Sequence, residues 1–146
     1  MKETYFKPFG PTIGKYNLSH TMIGKVNSFT NKIIENKHKS KILDHSHRLV
    51  GNVQQQFRLT KDFLFTSGLE KQLNRIIESY YKNVIQVKPS SIKIDRAWIV
   101  RQFAGDFNPP HVHRGNVSGV CYLEVPNSIK YNLSLIHISE PTRHER

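Results

Sequence analysis

The sequence predicts an α+β chain in which helices come first and strands follow. Apolar side chains recur at spacings of three and four over residues 19–37 and again from Phe63 towards Val84, the period of an amphipathic helix. Beyond Pro89 the pattern changes to short apolar runs, one reaching Gly105 and one closed by Pro126. Hydrophobic residues make up 37% of the chain and aromatic ones 10%, which suits a modest core and argues against a disordered polyelectrolyte.

The elements follow in order. Residues 4–17 mix aromatics with Pro8, Gly10, Pro11 and Gly14, so short extended pieces broken by turns are expected and a helix is not. Met22, Ile23, Val26, Phe29, Ile33 and Ile34 mark the first helix, over about Ser19 to Lys37. The polar run His38 to Arg48 reads as a loop. Leu49 to Val53 and Phe57 to Leu59 suggest an interrupted strand. Thr60 is an N-cap for a second helical stretch carrying Phe63, Leu64, Leu69, Leu73, Ile76, Ile77 and Tyr80, which Gly68 divides. Ile92, Ile94, Trp98, Val100 and Phe103 indicate one or two extended segments ending at Gly105. Asn108-Pro109-Pro110 interrupts, since proline cannot donate to a ladder and biases its predecessor to extended geometry. Val117 to Val125 is a second strong strand candidate.

The chain has 146 residues, one domain's worth or part of one, with 22 Lys+Arg against 11 Asp+Glu and a net charge of +11. Such a balance attracts polyanions and releases counterions from phosphate. The lysines are scattered, however, and the densest stretch, Lys37 to Arg48, is interrupted by Asp44. The charge therefore reads as a solvated face, with nucleic-acid contact as the alternative. No apolar stretch approaches the roughly 20 residues of a membrane helix, so no membrane partner is expected. Cys121 is the single cysteine and Met1 opens no apolar signal region, which together suggest a cytoplasmic location.

The tail, Leu133 to Arg143, resembles the translation of a transposase-end adapter used in preparing DNA sequencing libraries. Residues 133–146 are accordingly read as adapter-derived, with no native structure, and residues 1–132 as the N-terminal and central part of one domain. Setting the tail aside removes two acidic and two basic residues and leaves the net charge unchanged. The native sequence is then expected to run on beyond Asn132.

The most informative window is Trp98 to Pro126, WIVRQFAGDFNPPHVHRGNVSGVCYLEVP. His111 and His113 stand two apart, and in an extended strand such residues project from one face, so two imidazoles could converge on one metal. The pair follows a stiff Pro109-Pro110 lead-in and precedes a Gly-bearing strand that a ligand or backbone could approach closely.

This window resembles the iron(II)- and 2-oxoglutarate-dependent oxygenases, in particular a family common in bacterial and phage genomes. The matching residues are Trp98, Gly105 to His111, His113, Ser118 to Val120, Tyr122, Leu123 and Pro126. Leu49 to Val53 and Ser67 to Leu69 extend the likeness over most of residues 45–126. The resemblance implies N-terminal helices packed on an incomplete double-stranded β-helix, or jelly roll. It implies Fe(II) as cofactor, 2-oxoglutarate as cosubstrate and a hydroxylase activity. Such a site usually takes two histidines and one carboxylate on one face of the iron. His111 would be the first ligand, and His113 stands where the family has Asp or Glu. A neutral imidazole there leaves the iron one negative charge poorer, so either the site holds three histidines or His113 is not a ligand. The distal histidine and the basic residue that pairs with the far carboxylate of 2-oxoglutarate lie downstream in the family. His137 and His144, in the adapter-like tail, do not replace them, and the chain as given is expected to be inactive.

Other residues carry competing readings. Asp44-His45-Ser46-His47 offers a second histidine pair beside a carboxylate, with a solvated or hydrogen-bonded role favoured. Trp98 reads as a core or wall residue. A site-facing Tyr122 could hydrogen-bond a bound carboxylate, with a packed tyrosine the favoured reading. Cys121 reads as a buried small hydrophobe. Asp106 and Asn108 could orient the turn before the histidines through local side-chain to backbone bonds. Two further functional readings stand beside the oxygenase: a non-enzymatic basic module binding nucleic acid or a phage structural partner, and a zinc-binding cupin-like protein.

Overall fold

A computed structural model of the chain describes residues 2–8, 10–46, 51–113 and 115–126. It forms two compact units, which divide between Asn108 and Pro109. Among the described residues there are four α-helices and two two-stranded antiparallel sheets, an α+β arrangement.

The first unit opens with a hairpin of β1 (Glu3–Phe6) and β2 (Ile13–Tyr16), in register Glu3↔Tyr16 and Phe6↔Ile13. Tyr5 and Tyr16 meet edge to face across it at 5.9 Å. Helix α1 (His20–Glu35) begins where Ser19 caps it by accepting from Met22 N at 3.2 Å. Its expected stripe is the buried one, with Met22, Val26 and Ile33 in the core. Thr30, buried between them, keeps its hydroxyl satisfied by donating to Val26 O at 2.8 Å.

The expected loop over His38 to Arg48 is corrected in its first half, where α2 spans Lys37–Leu43. Asn36 ends α1 and caps α2 at once, its side chain accepting from Lys39 N at 3.0 Å. An asparagine cap was the local signal for this helix, because its side-chain oxygen satisfies an otherwise orphaned N–H. Leu49 and Val50 of the proposed strand lie outside the described residues. The strand itself is β3 (Gln55–Arg58), preceded by an isolated bridge between Asn52 and Phe107.

Thr60 caps α3 (Lys61–Ser67), accepting from Phe63 N at 3.2 Å, and Gly68 separates it from α4 (Leu69–Tyr80). Gly68 sits at φ 80°, a conformation that a side chain disfavours. Helix α4 runs into a π-helical turn, Tyr81–Ile85, that ends at Gln86 with φ 60°. Among the described residues after Pro89, only β4 (Trp98–Arg101) is a strand. It pairs with β3 in register Gln55↔Arg101 and Arg58↔Trp98.

The core gathers where α1, α3 and the β3–β4 pair contribute Val26, Ile33, Leu64, Phe57 and Ile99, with Phe57 only 1% exposed. Phe29 of α1 stacks on Phe63 of α3, ring centres 3.9 Å apart and planes 20° from parallel. Trp98 is not a core residue: it is 39% exposed, while its neighbour Ile99 turns inward, as strand alternation dictates. The hairpin is fastened to α4 by polar contacts. Glu3 Oε2 accepts from Tyr5 at 2.9 Å and from Ser79 at 2.8 Å, and Tyr80 donates to Thr12 O at 2.6 Å.

In the second unit the strand expected over Val117 to Val125 is absent from the described residues. Strand backbone needs a neighbouring ladder to take its N–H and C=O groups, and none of the described residues pairs with this segment. Val120 is 83% exposed.

No described helix is long and apolar enough to cross a membrane.

Candidate functional site

The second unit starts with Pro109-Pro110, whose fixed φ angles stiffen the backbone ahead of the histidines. His111 and His113 are not in a paired strand, yet their rings meet. His111 Nε2 and His113 Nε2 are 3.0 Å apart, with ring centres at 4.5 Å and planes at 81°. The i, i+2 spacing therefore brings the imidazoles together without a ladder.

A third contact sets the chemistry of the pair. His111 Nδ1 lies 2.8 Å from Pro109 O. A carbonyl oxygen only accepts, so Nδ1 carries the proton and donates, and in the neutral ring Nε2 presents its lone pair. That lone pair faces His113 Nε2, which donates to it when no cation is bound. A backbone carbonyl holding the remote N–H is the support that metal-ligating histidines commonly have. Two nitrogens each about 2.1 Å from one ion and at right angles stand about 3.0 Å apart, the separation found here. The separation alone matches two adjacent positions on a divalent metal, and to hold one the rings would have to turn their Nε2 atoms from each other towards one shared point. Among the described residues no group of three or more His, Cys, Asp or Glu gathers into a fuller ligand set.

Tyr122 is 78% exposed and makes no hydrogen bond or ring contact among the described residues, which corrects the packed alternative. Cys121 is exposed as well, where burial was expected, and desolvation pushes its thiol above the usual range, so it is not an activated thiolate. Both departures share one cause: among the described residues no ladder partner covers the segment.

Asp106 does what its position suggested, and more. Its Oδ2 accepts from Phe103 N and Gln54 N, each at 3.2 Å, and its Oδ1 accepts from Gln54 Nε2 at 3.1 Å. Desolvation alone would raise this carboxyl, but the donated hydrogen bonds outweigh it and hold the group below its ordinary value of 3.8. With Asn52 bridging Phe107, these bonds lock the Gly105-Asp106-Phe107 turn to residues 52–54. The long-range partner Gln54 is a residue that sequence reasoning missed, since nothing local joins positions 52 apart.

In the second histidine pair, Asp44 Oδ1 accepts from Ser46 N at 2.8 Å, a turn-forming role for the carboxylate. His45 N donates to Gln56 O, and His47 lies outside the described residues, as do His137 and His144.

No protein-family model, curated protein or solved structure matches the chain.

Proposed function

We propose that the chain is part of an iron(II)- and 2-oxoglutarate-dependent dioxygenase, a hydroxylase whose metal is held by His111 and His113. The observation that carries this reading is the convergence of the two Nε2 atoms at 3.0 Å, with the Pro109 carbonyl fixing the His111 tautomer. It occurs within the Gly105-to-Pro126 window that resembles that family. His111 would offer Nε2 directly, while His113 must first move its Nε2 proton to Nδ1. Were iron(II) and 2-oxoglutarate held there, they would activate O2, the oxidant, so that one oxygen atom enters a C–H bond and the other converts 2-oxoglutarate to succinate and CO2. The protein's share is to orient the two rings and to present an exposed Tyr122, whose hydroxyl can donate to a carboxylate such as that of 2-oxoglutarate. The jelly roll, the distal histidine and the cosubstrate-pairing base belong to the same proposal, beyond the described residues.

The test is iron-dependent conversion of 2-oxoglutarate to succinate by the protein of the uninterrupted reading frame. Activity that disappears in His111→Ala is expected. Full activity in that variant, or none in the parent protein loaded with iron, overturns the reading.

A second reading has one observation behind it. The chain carries 22 Lys+Arg against 11 Asp+Glu, and among the described residues the ion pair found is Arg96 with Asp95 at 3.5 Å, so the other described Lys and Arg side chains have no carboxylate within ion-pair distance. A nucleic-acid-binding module would lose affinity steeply between low and moderate salt, whereas metal binding by imidazoles responds to pH and chelators.

A further inference from the structure

The elbow between α1 and α2 forms an open cleft of about 320 Å³ in the first unit. Its floor is apolar: Phe29 and Ile33 one turn apart on α1, with Ile42 and Leu43 from the end of α2. Ile42 is 61% exposed, an unusual state for an isoleucine placed beside three other apolar side chains. Lys32, Lys39 and Thr60 complete the lining. Neither lysine has a carboxylate within ion-pair distance among the described residues.

Apolar walls with cationic side chains among them match a ligand that has an alkyl body and an anionic head. The size points to a small molecule, because ligand sites span about 300–1,000 Å³. A protein partner of a stable interface would need about 800 Å² of surface on each side, far more than this elbow offers. We propose that the α1–α2 elbow binds a free medium-chain alkyl carboxylate, its chain in the apolar cleft and its carboxylate met by Lys32 and Lys39. Burial of the chain would supply most of the affinity and the two ammonium groups the preference for an anion. This site shares no residue with the histidine pair, so it stands or falls independently of the oxygenase reading.

Isothermal titration of the whole chain with sodium decanoate, kept below its micelle concentration, tests it. Saturable one-to-one binding is expected. The Lys32→Gln, Lys39→Gln double variant should bind about three- to tenfold more weakly, as the loss of two solvent-exposed ion pairs implies. Lys71→Gln, on α4 and outside the cleft lining, should bind as the parent does. Ile42→Glu should abolish saturable binding, since it sets a like charge beside the carboxylate. If it fails to fold by circular dichroism, the lysine variants decide. Butyrate, too short to fill the cleft, and decylammonium, of the wrong charge, should both bind poorly. The proposal is overturned by non-saturable heats, by decylammonium binding as tightly as decanoate, or by Lys71→Gln weakening binding as much as the double variant. Attachment to anionic phospholipid vesicles without any response to decanoate overturns it too.

Discussion

His111 Nε2 stands 3.0 Å from His113 Nε2, with the Pro109 carbonyl holding the opposite nitrogen of the first ring at 2.8 Å. The bond between the rings and a metal bound by both compete for the same lone pair, so loading a cation requires the His113 proton to pass from Nε2 to Nδ1.

Cobalt(II) as a spectroscopic stand-in for iron should bind this chain more weakly as the pH falls, because protons compete for the imidazole nitrogens, and be stripped readily by a chelator. His111→Ala and His113→Ala should each abolish the signal, while Val112→Ala, at a side chain 96% exposed between them, should leave it intact. Turnover of 2-oxoglutarate by this chain as given is not expected, because among the described residues no third ligating side chain joins the pair, and measured turnover would contradict that.

The Asp106 lock should open in acid. Its carboxyl is depressed in the folded protein, so its contribution is present above the ordinary value of 3.8 and is lost as the pH falls through the lower folded value. Carboxyl titration by NMR should show Asp106 titrating below 3.8, with the Gln54 and Phe103 amide resonances following the same curve. Amide shifts that stay flat while the carboxyl titrates would show that those hydrogen bonds do not hold the group down.

Tyr16 should resist ionisation. Desolvation, then its hydrogen bond to the Tyr5 hydroxyl at 3.1 Å, raise its pKa well above the ordinary 10.0. With a folded value above the unfolded one, its stabilising contribution is complete below pH 10.0 and is lost as the pH rises beyond it. Tyrosinate absorbance should show one late-titrating group, shifted towards the ordinary value in Tyr5→Phe. A Cβ on Gly14 would lie 2.8 Å from the Tyr16 ring, so Gly14→Ala should push the ring aside and produce the same downward shift.

Gly68 is required by conformation rather than by space. A Cβ there meets nothing within 4 Å, but φ is 80°. Gly68→Ala should destabilise the first unit by about 1–2 kcal/mol, the penalty of left-handed backbone. Thermal unfolding checks this, and an unchanged midpoint would mean that the α3–α4 junction adopts another conformation.

The sequence by itself determined the elements whose signals are local. Ser19 and Thr60 cap α1 and α3 as read, Met22, Val26 and Ile33 bury the expected stripe, and Gly68 divides the second helical stretch. Helix α2 was hidden because its cap, Asn36, sits inside what reads as one continuous helix followed by polar residues. Tertiary structure alone decided what depends on distant partners. Gln54 reaches Asp106, Phe29 stacks on Phe63, and Ser79 meets Glu3 across long stretches of chain, none of which any periodicity records. For the candidate site, spacing placed His111 and His113 near each other, but the tautomer depends on where the Pro109 carbonyl points. Strand propensity over Val117 to Val125 likewise states only what the segment could become, since a ladder forms only when a second strand arrives to complete its hydrogen bonds.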